Sequence, residues 1–255
     1  MPGGAARVHA TEVVEVVHAA VAECAVDSVY LNTCAFDADD GGIAFLAPYI
    51  EAVRRHVDTL VAVQVHPPAT PAWVDRTYAM GVDAVSYNLE IFDPDVLLRQ
   101  CVGRARYIGR ERYLDILAHA ARVFPNGAVW SELVVGIEPI ESTRAGIEAL
   151  AEMGVVPLLV LQRGAAAATN GRVLDDVDAL CAHLVETVER AGINTAWVHG
   201  LPVAIGPAEA NVGRDGSSSV QLRRRRRLGG FVLRNLARTR RRLRVRRPDG
   251  PGDAH

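Results

Sequence analysis

The chain contains no lysine among its 255 residues. That absence removes Schiff-base chemistry, which needs a lysine amine, and so argues against an aldolase-like barrel. Cysteine is scarce too. Cys24, Cys34, Cys101 and Cys181 stand far apart, with neither a disulfide framework nor zinc-ligand spacing, so each reads first as a small buried hydrophobe. No window approaches the roughly 18 consecutive apolar residues of a membrane span, and Met1 to Arg7 lacks the apolar stretch of a secretory signal. The expected compartment is the cytoplasm. No strand-like segment is followed by a G-x-G-x-x-G turn, which argues against dinucleotide binding.

What is present is unevenly charged. The formal net charge is -2, yet up to Leu222 there are 15 arginines against 28 carboxylates, while 13 arginines crowd between Arg223 and Arg247. The body is acidic and the tail is basic. Gly213, Gly216 and Ser217 to Ser219 mark residues 211–222 as a flexible linker between a body of residues 1–210 and a tail of residues 223–255. Leu228, Phe231, Val232, Leu236 and Leu243 share one face of the tail if it is helical, which fits an anionic membrane surface and a membrane-peripheral location. Nucleic acid is the weaker partner, because Phe231 is the only aromatic ring there to stack on a base.

Within the body, apolar runs alternate with amphipathic segments. The pattern predicts a helix over Thr11 to Ala25 capped by Thr11, a strand over Asp27 to Thr33, a helix from Ala47 to Asp58 and a strand over Leu60 to Val65. A helix from Pro71 to Met80 and a strand over Asp83 to Glu90 follow. Then come a helix from Arg110 to Phe124, a strand over Ala128 to Glu138, and a helix over Thr143 to Met153 capped by Ser142. A strand over Val155 to Leu161, a helix from Leu174 to Ala191 and a short strand over Thr195 to His199 complete the series. Six strands alternating with helices predict an α/β fold, a parallel (β/α) barrel or partial TIM-type barrel, with an open doubly wound sheet as the structural alternative.

Parallel barrels place their chemistry at the C-terminal ends of their strands. Here those ends carry Asn32, Thr33, Gln64, His66, Asn88, Glu90, Ser131, Glu138, Gln162 and Arg163. The set is rich in hydrogen-bonding groups and poor in pairs of nucleophile and base. It suits holding a polar cofactor better than triad hydrolysis. Gly136 would let a flat ring approach the backbone. For each residue alone, capping or loop hydrogen bonding is the simpler role; their joint placement is what suggests a site.

Two strand ends carry a family resemblance. Val85-Ser-Tyr-Asn-Leu-Glu90 resembles the strand of lipoyl and biotin synthases in which an Asn-x-Glu holds the ribose of S-adenosylmethionine. Val134-Val-Gly-Ile-Glu138 resembles the strand of radical S-adenosylmethionine enzymes whose glycine lies against adenine. Gly154 to Arg163 is similar to the strand that follows it, and Leu31 to Asp37 to the segment near the methionine moiety, with Cys34 where a glycine is usual. The resemblance covers Ser28 to Arg163. It implies a partial barrel that binds S-adenosylmethionine through Thr33, Asn88, Glu90, Ser131, Gly136 and Glu138, and a 5'-deoxyadenosyl radical that abstracts hydrogen from an unknown small molecule. Cys101 to Arg110 resembles an arginine-bearing loop of lipoyl synthases, in which Arg104, Arg106 and Arg110 would bind a carboxylate or the methionine end of the cofactor; a solvated loop is the alternative.

One departure is large. The family's [4Fe-4S] cluster is held by three closely spaced cysteines, and no such triplet occurs in this sequence. The chain as written is therefore expected not to ligate the cluster. Two explanations compete: a copy truncated before the cluster loop, or a barrel that lost the chemistry and kept the pocket as a binding module. Truncation is the expectation, because the strand ends remain polar and glycine-containing.

Overall fold

The computed structural model describes residues 8–24, 26, 28–33, 38–161, 172–195, 198 and 204–210. The linker and the tail read from the sequence, Cys34, Gln162, Arg163 and most of the expected sixth strand lie outside them.

The elements in chain order are α1 (Ala10–Glu23), β1 (Ser28–Asn32), α2 (Ile43–His56), β2 (Leu60–Gln64), α3 (Ala72–Ala79), β3 (Ala84–Ser86), α4 (Pro94–Gln100), α5 (Val102–Tyr107), α6 (Arg110–Val123), β4 (Val129–Val135), α7 (Ile140–Glu152), β5 (Val156–Leu161), α8 (Arg172–Arg190) and α9 (Pro207–Ala210). The fold is α/β, and the five strands among the described residues form one parallel sheet whose order, β1-β2-β3-β4-β5, is the order of the chain.

Parallel register assigns the two faces. Tyr30 lies opposite Ala62, Gln64 opposite Ser86, and Ser86 opposite Trp130. Since side chains alternate along a strand, Tyr30, Gln64, Ser86, Trp130 and Glu132 share one face. The other face carries Val61, Val63, Val85, Ser131 and Leu133, all fully buried. There α7 lies so close that a Cβ on Gly146 would meet the Leu133 side chain at 3.1 Å. On the first face the rings of Tyr30 and Trp130 stack with centroids 6.0 Å apart, although β2 and β3 run between their strands.

Several expectations need correction. The first helix starts one residue before the expected Thr11 cap: the backbone N–H of His9 donates to Glu12 at 2.7 Å, closing the first turn instead. Helix α2 starts at Ile43, four residues before the expected Ala47, because the Asp40 carboxylate accepts from the Gly42 and Ala44 N–H groups and makes the turn there. Ser142 does not cap α7, which begins at Ile140 behind Pro139; its hydroxyl donates to Asp93 at 3.3 Å. The arginine-bearing loop expected over Cys101 to Arg110 is largely the helix α5, and α4 runs directly into it. Asp93 caps α4 by accepting from Asp95 and Val96.

The strand expected over Asp83 to Glu90 pairs regularly only to Ser86. Beyond it the chain leaves the ladder, and side chains take over: the Leu89 N–H donates to the Ser131 hydroxyl at 3.0 Å. Pairing resumes at Glu90, which donates to the Glu132 carbonyl at 2.7 Å and accepts from the Val134 N–H at 2.8 Å. Next to β5 the described chain returns at Ile205, which bridges Leu159 in the antiparallel sense, a contact the sequence reading did not anticipate.

Candidate functional site

A pocket of about 610 Å³ opens at the C-terminal ends of β1, β2 and β3. Its walls are Thr33 after β1, Gln64 to His66 at the end of β2, Asn88 and Glu90 after β3, and Gln100 to Arg104 where α4 meets α5. The volume lies in the range of small-molecule sites. Gly41 shapes the neighbouring wall. Its φ is 67°, its carbonyl accepts from the His66 N–H at 3.2 Å, and a Cβ there would strike the His66 carbonyl oxygen at 2.0 Å.

Glu90 is the one residue other than glycine with positive φ among those described, at 65°. For a glutamate that conformation is strained by about 1 to 3 kcal/mol, and such strain persists where the surroundings over-determine it. Here two backbone hydrogen bonds to β4 hold it. Its carboxylate pairs with Arg104 at 2.9 Å, so the pocket rim carries a fixed carboxylate and guanidinium side by side.

His66 lines the same rim, and its Nδ1 shares a hydrogen bond of 3.2 Å with the Tyr113 hydroxyl. Burial and the Arg104 charge depress its pKa below the usual histidine value, with Glu90 pulling weakly the other way. Burial likewise pushes the Tyr113 phenol up to about 12. Both groups are neutral near pH 7.

Asn88 stands at the pocket base with both ends of its amide engaged. Its oxygen accepts from the Ser86 hydroxyl and, at 3.4 Å, from the Glu132 N–H; its NH₂ donates to the Glu132 carboxylate. Burial raises the pKa of Glu132, and the nearby Glu90 charge adds to the rise while the Asn88 bond opposes it.

The structure therefore gathers Thr33, Gln64, His66, Asn88, Glu90 and Arg104, and separates the rest. Ser131 shares the Leu133 face, is fully buried and holds the Leu89 N–H, so it does not reach the pocket. Glu138 is clamped by the N–H groups of Phe92 and Asp93 at 2.9 and 2.7 Å and by the Thr143 hydroxyl at 3.2 Å. It staples the loop after β3 to the start of α7. Arg106 is exposed outside the pocket, and Arg110 stacks over Phe92 at 4.2 Å. Gly136 is not a pocket wall; its φ of 97° makes it a turn glycine, which β4 needs in order to stop. Glu132, Tyr30 and Tyr113, which the sequence does not single out, each hydrogen-bond a pocket-lining residue: Asn88, Gln64 and His66 in turn. The pair Ser131-Glu132 offers two polar candidates on opposite faces, and only the register with Ser86 decides between them.

No family model matches the chain. Over 121 residues the chain is 26% identical to bacteriochlorophyllide c C-7(1)-hydroxylase from Chlorobaculum limnaeum. That match covers 46% of this chain and spans 30% of the hydroxylase.

Proposed function

We propose that this chain is a partial (β/α) barrel of the radical S-adenosylmethionine type, most like its biotin and lipoyl synthase branch, and that the pocket holds the adenosyl end of S-adenosylmethionine. The strained, doubly anchored Glu90 at the pocket rim carries the reading. A carboxylate fixed beside Asn88 presents acceptors to a ribose diol, and Arg104, its partner, offers donors to the carboxylate of the methionine end. The sheet order supports the barrel. Right-handed crossovers that all step the same way put their helices on one side, and the Tyr30 and Trp130 rings could not meet at 6.0 Å across about 14 Å of flat sheet. A doubly wound sheet would instead reverse its order.

The partial match to a hydroxylase is in keeping with this. Putting a hydroxyl on carbon requires breaking a carbon–hydrogen bond, the step for which a 5'-deoxyadenosyl radical serves. The cluster that would generate such a radical does not fit the described residues. Cys24 is exposed at the end of α1 and donates to the Ala20 carbonyl at 3.3 Å, Cys101 is at the pocket, and Cys181 packs on the core from α8. No three His, Cys, Asp or Glu among the described residues converge to hold a metal. No radical step is assigned to these residues, and a pocket that binds the adenosyl ligand without turnover is the second reading.

Titration calorimetry with S-adenosylhomocysteine tests the pocket. Glu90→Ala removes charge-assisted hydrogen bonds of roughly 1.5 to 3 kcal/mol, so affinity should fall about tenfold to hundredfold. Equal affinity in parent and variant means that the ligand does not use this rim. Anaerobic reconstitution with iron and sulfide separates the two readings: little iron should be retained, and near-stoichiometric iron and sulfide with cluster absorbance would return the radical step to this chain.

A further inference from the structure

We infer that the sheet face below the pocket is a second subsite, in which Glu132 selects a ligand with a flat aromatic body and a cationic amine. The register sets Tyr30, Trp130 and Glu132 on one face, with Gln64 and Asn88 shared between this face and the pocket. Accessibility is graded along it. Trp130 is 1% exposed and closes the floor, while Tyr30 is 36% exposed and Gln64 and Glu132 are partly exposed above it. The accessible floor is thus the Tyr30 ring, backed by the buried Trp130 ring stacked with it, and the wall above is polar: the Tyr30 hydroxyl donates to Gln64 at 2.5 Å. A flat ring stacks on such a floor at low entropic cost.

The charge of this face is unbalanced. Glu90 lies across from Glu132, in the middle of β4, yet the Arg104 guanidinium pairs with Glu90 alone. Glu132 has the Asn88 amide as its hydrogen-bond partner and no cationic partner among the described residues. A half-buried carboxylate without a cation is costly, and the cost is recovered when a ligand brings the charge. An ammonium group fits that need; a carboxylate in the same position would meet two glutamates. The subsite is independent of the adenosyl reading except that it abuts the same pocket.

The experiment titrates tryptamine, tryptophol and indole-3-acetate into the full chain, into Glu132→Gln and into Tyr30→Leu, with melting curves to show that each protein is folded. Tryptamine should bind the parent at least tenfold more tightly than indole-3-acetate, with tryptophol between them. Glu132→Gln should erase the preference for the amine and weaken tryptamine tenfold or more. Tyr30→Leu, on the edge strand, should weaken all three probes alike by removing the ring. Absent tryptamine binding, equal affinity for amine and acetate, or an amine preference that survives Glu132→Gln overturns the subsite. Because these probes lack adenosine, their result stands whether or not S-adenosylhomocysteine binds at Glu90.

Discussion

At the scale of single residues, His66 reports on the electrostatics of the rim. Burial first, and Arg104 second, disfavour its protonated form. The unfolded chain protonates this histidine near pH 6.5, whereas the folded chain does so lower. Between those two values the unfolded state binds the extra proton, so stability rises with pH there and is lost as pH falls below about 6.5. The melting temperature of the parent should therefore drop more steeply from pH 7 to pH 5.5 than that of His66→Gln. Following the ring by NMR gives the sharper check. Its midpoint should lie below about 6.5 and move up in Arg104→Gln, which removes a like charge. A midpoint that ignores Arg104 would show that the two groups do not share the rim.

At the scale of elements, the departure of the chain from β3 depends on side chains that replace the ladder. Ser131 accepts the Leu89 N–H in a fully buried setting, so Ser131→Ala leaves that donor unsatisfied and should cost about 1 to 3 kcal/mol in urea unfolding. The same variant should bind S-adenosylhomocysteine as the parent does, since Ser131 faces α7 rather than the pocket. A large loss of binding with unchanged stability would reverse that placement. A second fastening lies at the opposite end of the strands. Arg54 from α2 donates to the Thr59 carbonyl at 2.8 Å, to the Gly81 carbonyl and to the buried Asp83 carboxylate, which also accepts from Val61 at 3.0 Å. These bonds tie the starts of β2 and β3 to one helix end.

The alternation of apolar strands and amphipathic helices was legible in the sequence because burial imposes it on every turn and pleat. Thus β2, β5 and α6 lie within one residue of where the pattern predicts them. The pocket members Thr33, Asn88, Glu90 and Arg104 were legible as polar groups at strand ends and in the segment after β3. Ser131, Gly136 and Glu138 lie away from that pocket, and local pattern does not separate them from its members for a common reason. A polar or glycine residue at a strand end serves equally to bind a ligand or to end the strand. The difference lies in register and in long-range partners such as Phe92 and Thr143, which local pattern does not encode.

At the scale of the whole molecule, the acidic body and the arginine-rich segment of residues 223–247 are opposites joined in one chain. No helix among the described residues is long and apolar enough to cross a membrane. A polybasic segment provides a different attachment, to the anionic surface of a bilayer, worth about 1 kcal/mol per arginine near the surface. The acidic body competes for the same arginines from within, and it repels the bilayer. The expected balance is binding that is measurable at low ionic strength and steeply salt-dependent, because the Debye length shrinks from about 10 Å at 0.1 M to about 3 Å at 1 M. Sedimentation with phosphatidylserine-containing vesicles should pull down the full chain at 0.1 M salt and release it at 1 M. Neutral phosphatidylcholine vesicles should leave it in solution. Deleting residues 223–255 should abolish the binding without lowering the melting temperature of the body, since the described core is built from residues before Asn211. Unchanged vesicle binding after the deletion would assign the attraction elsewhere. Binding that resists 1 M salt would replace electrostatic attachment with insertion of the apolar residues Leu228, Phe231 and Val232.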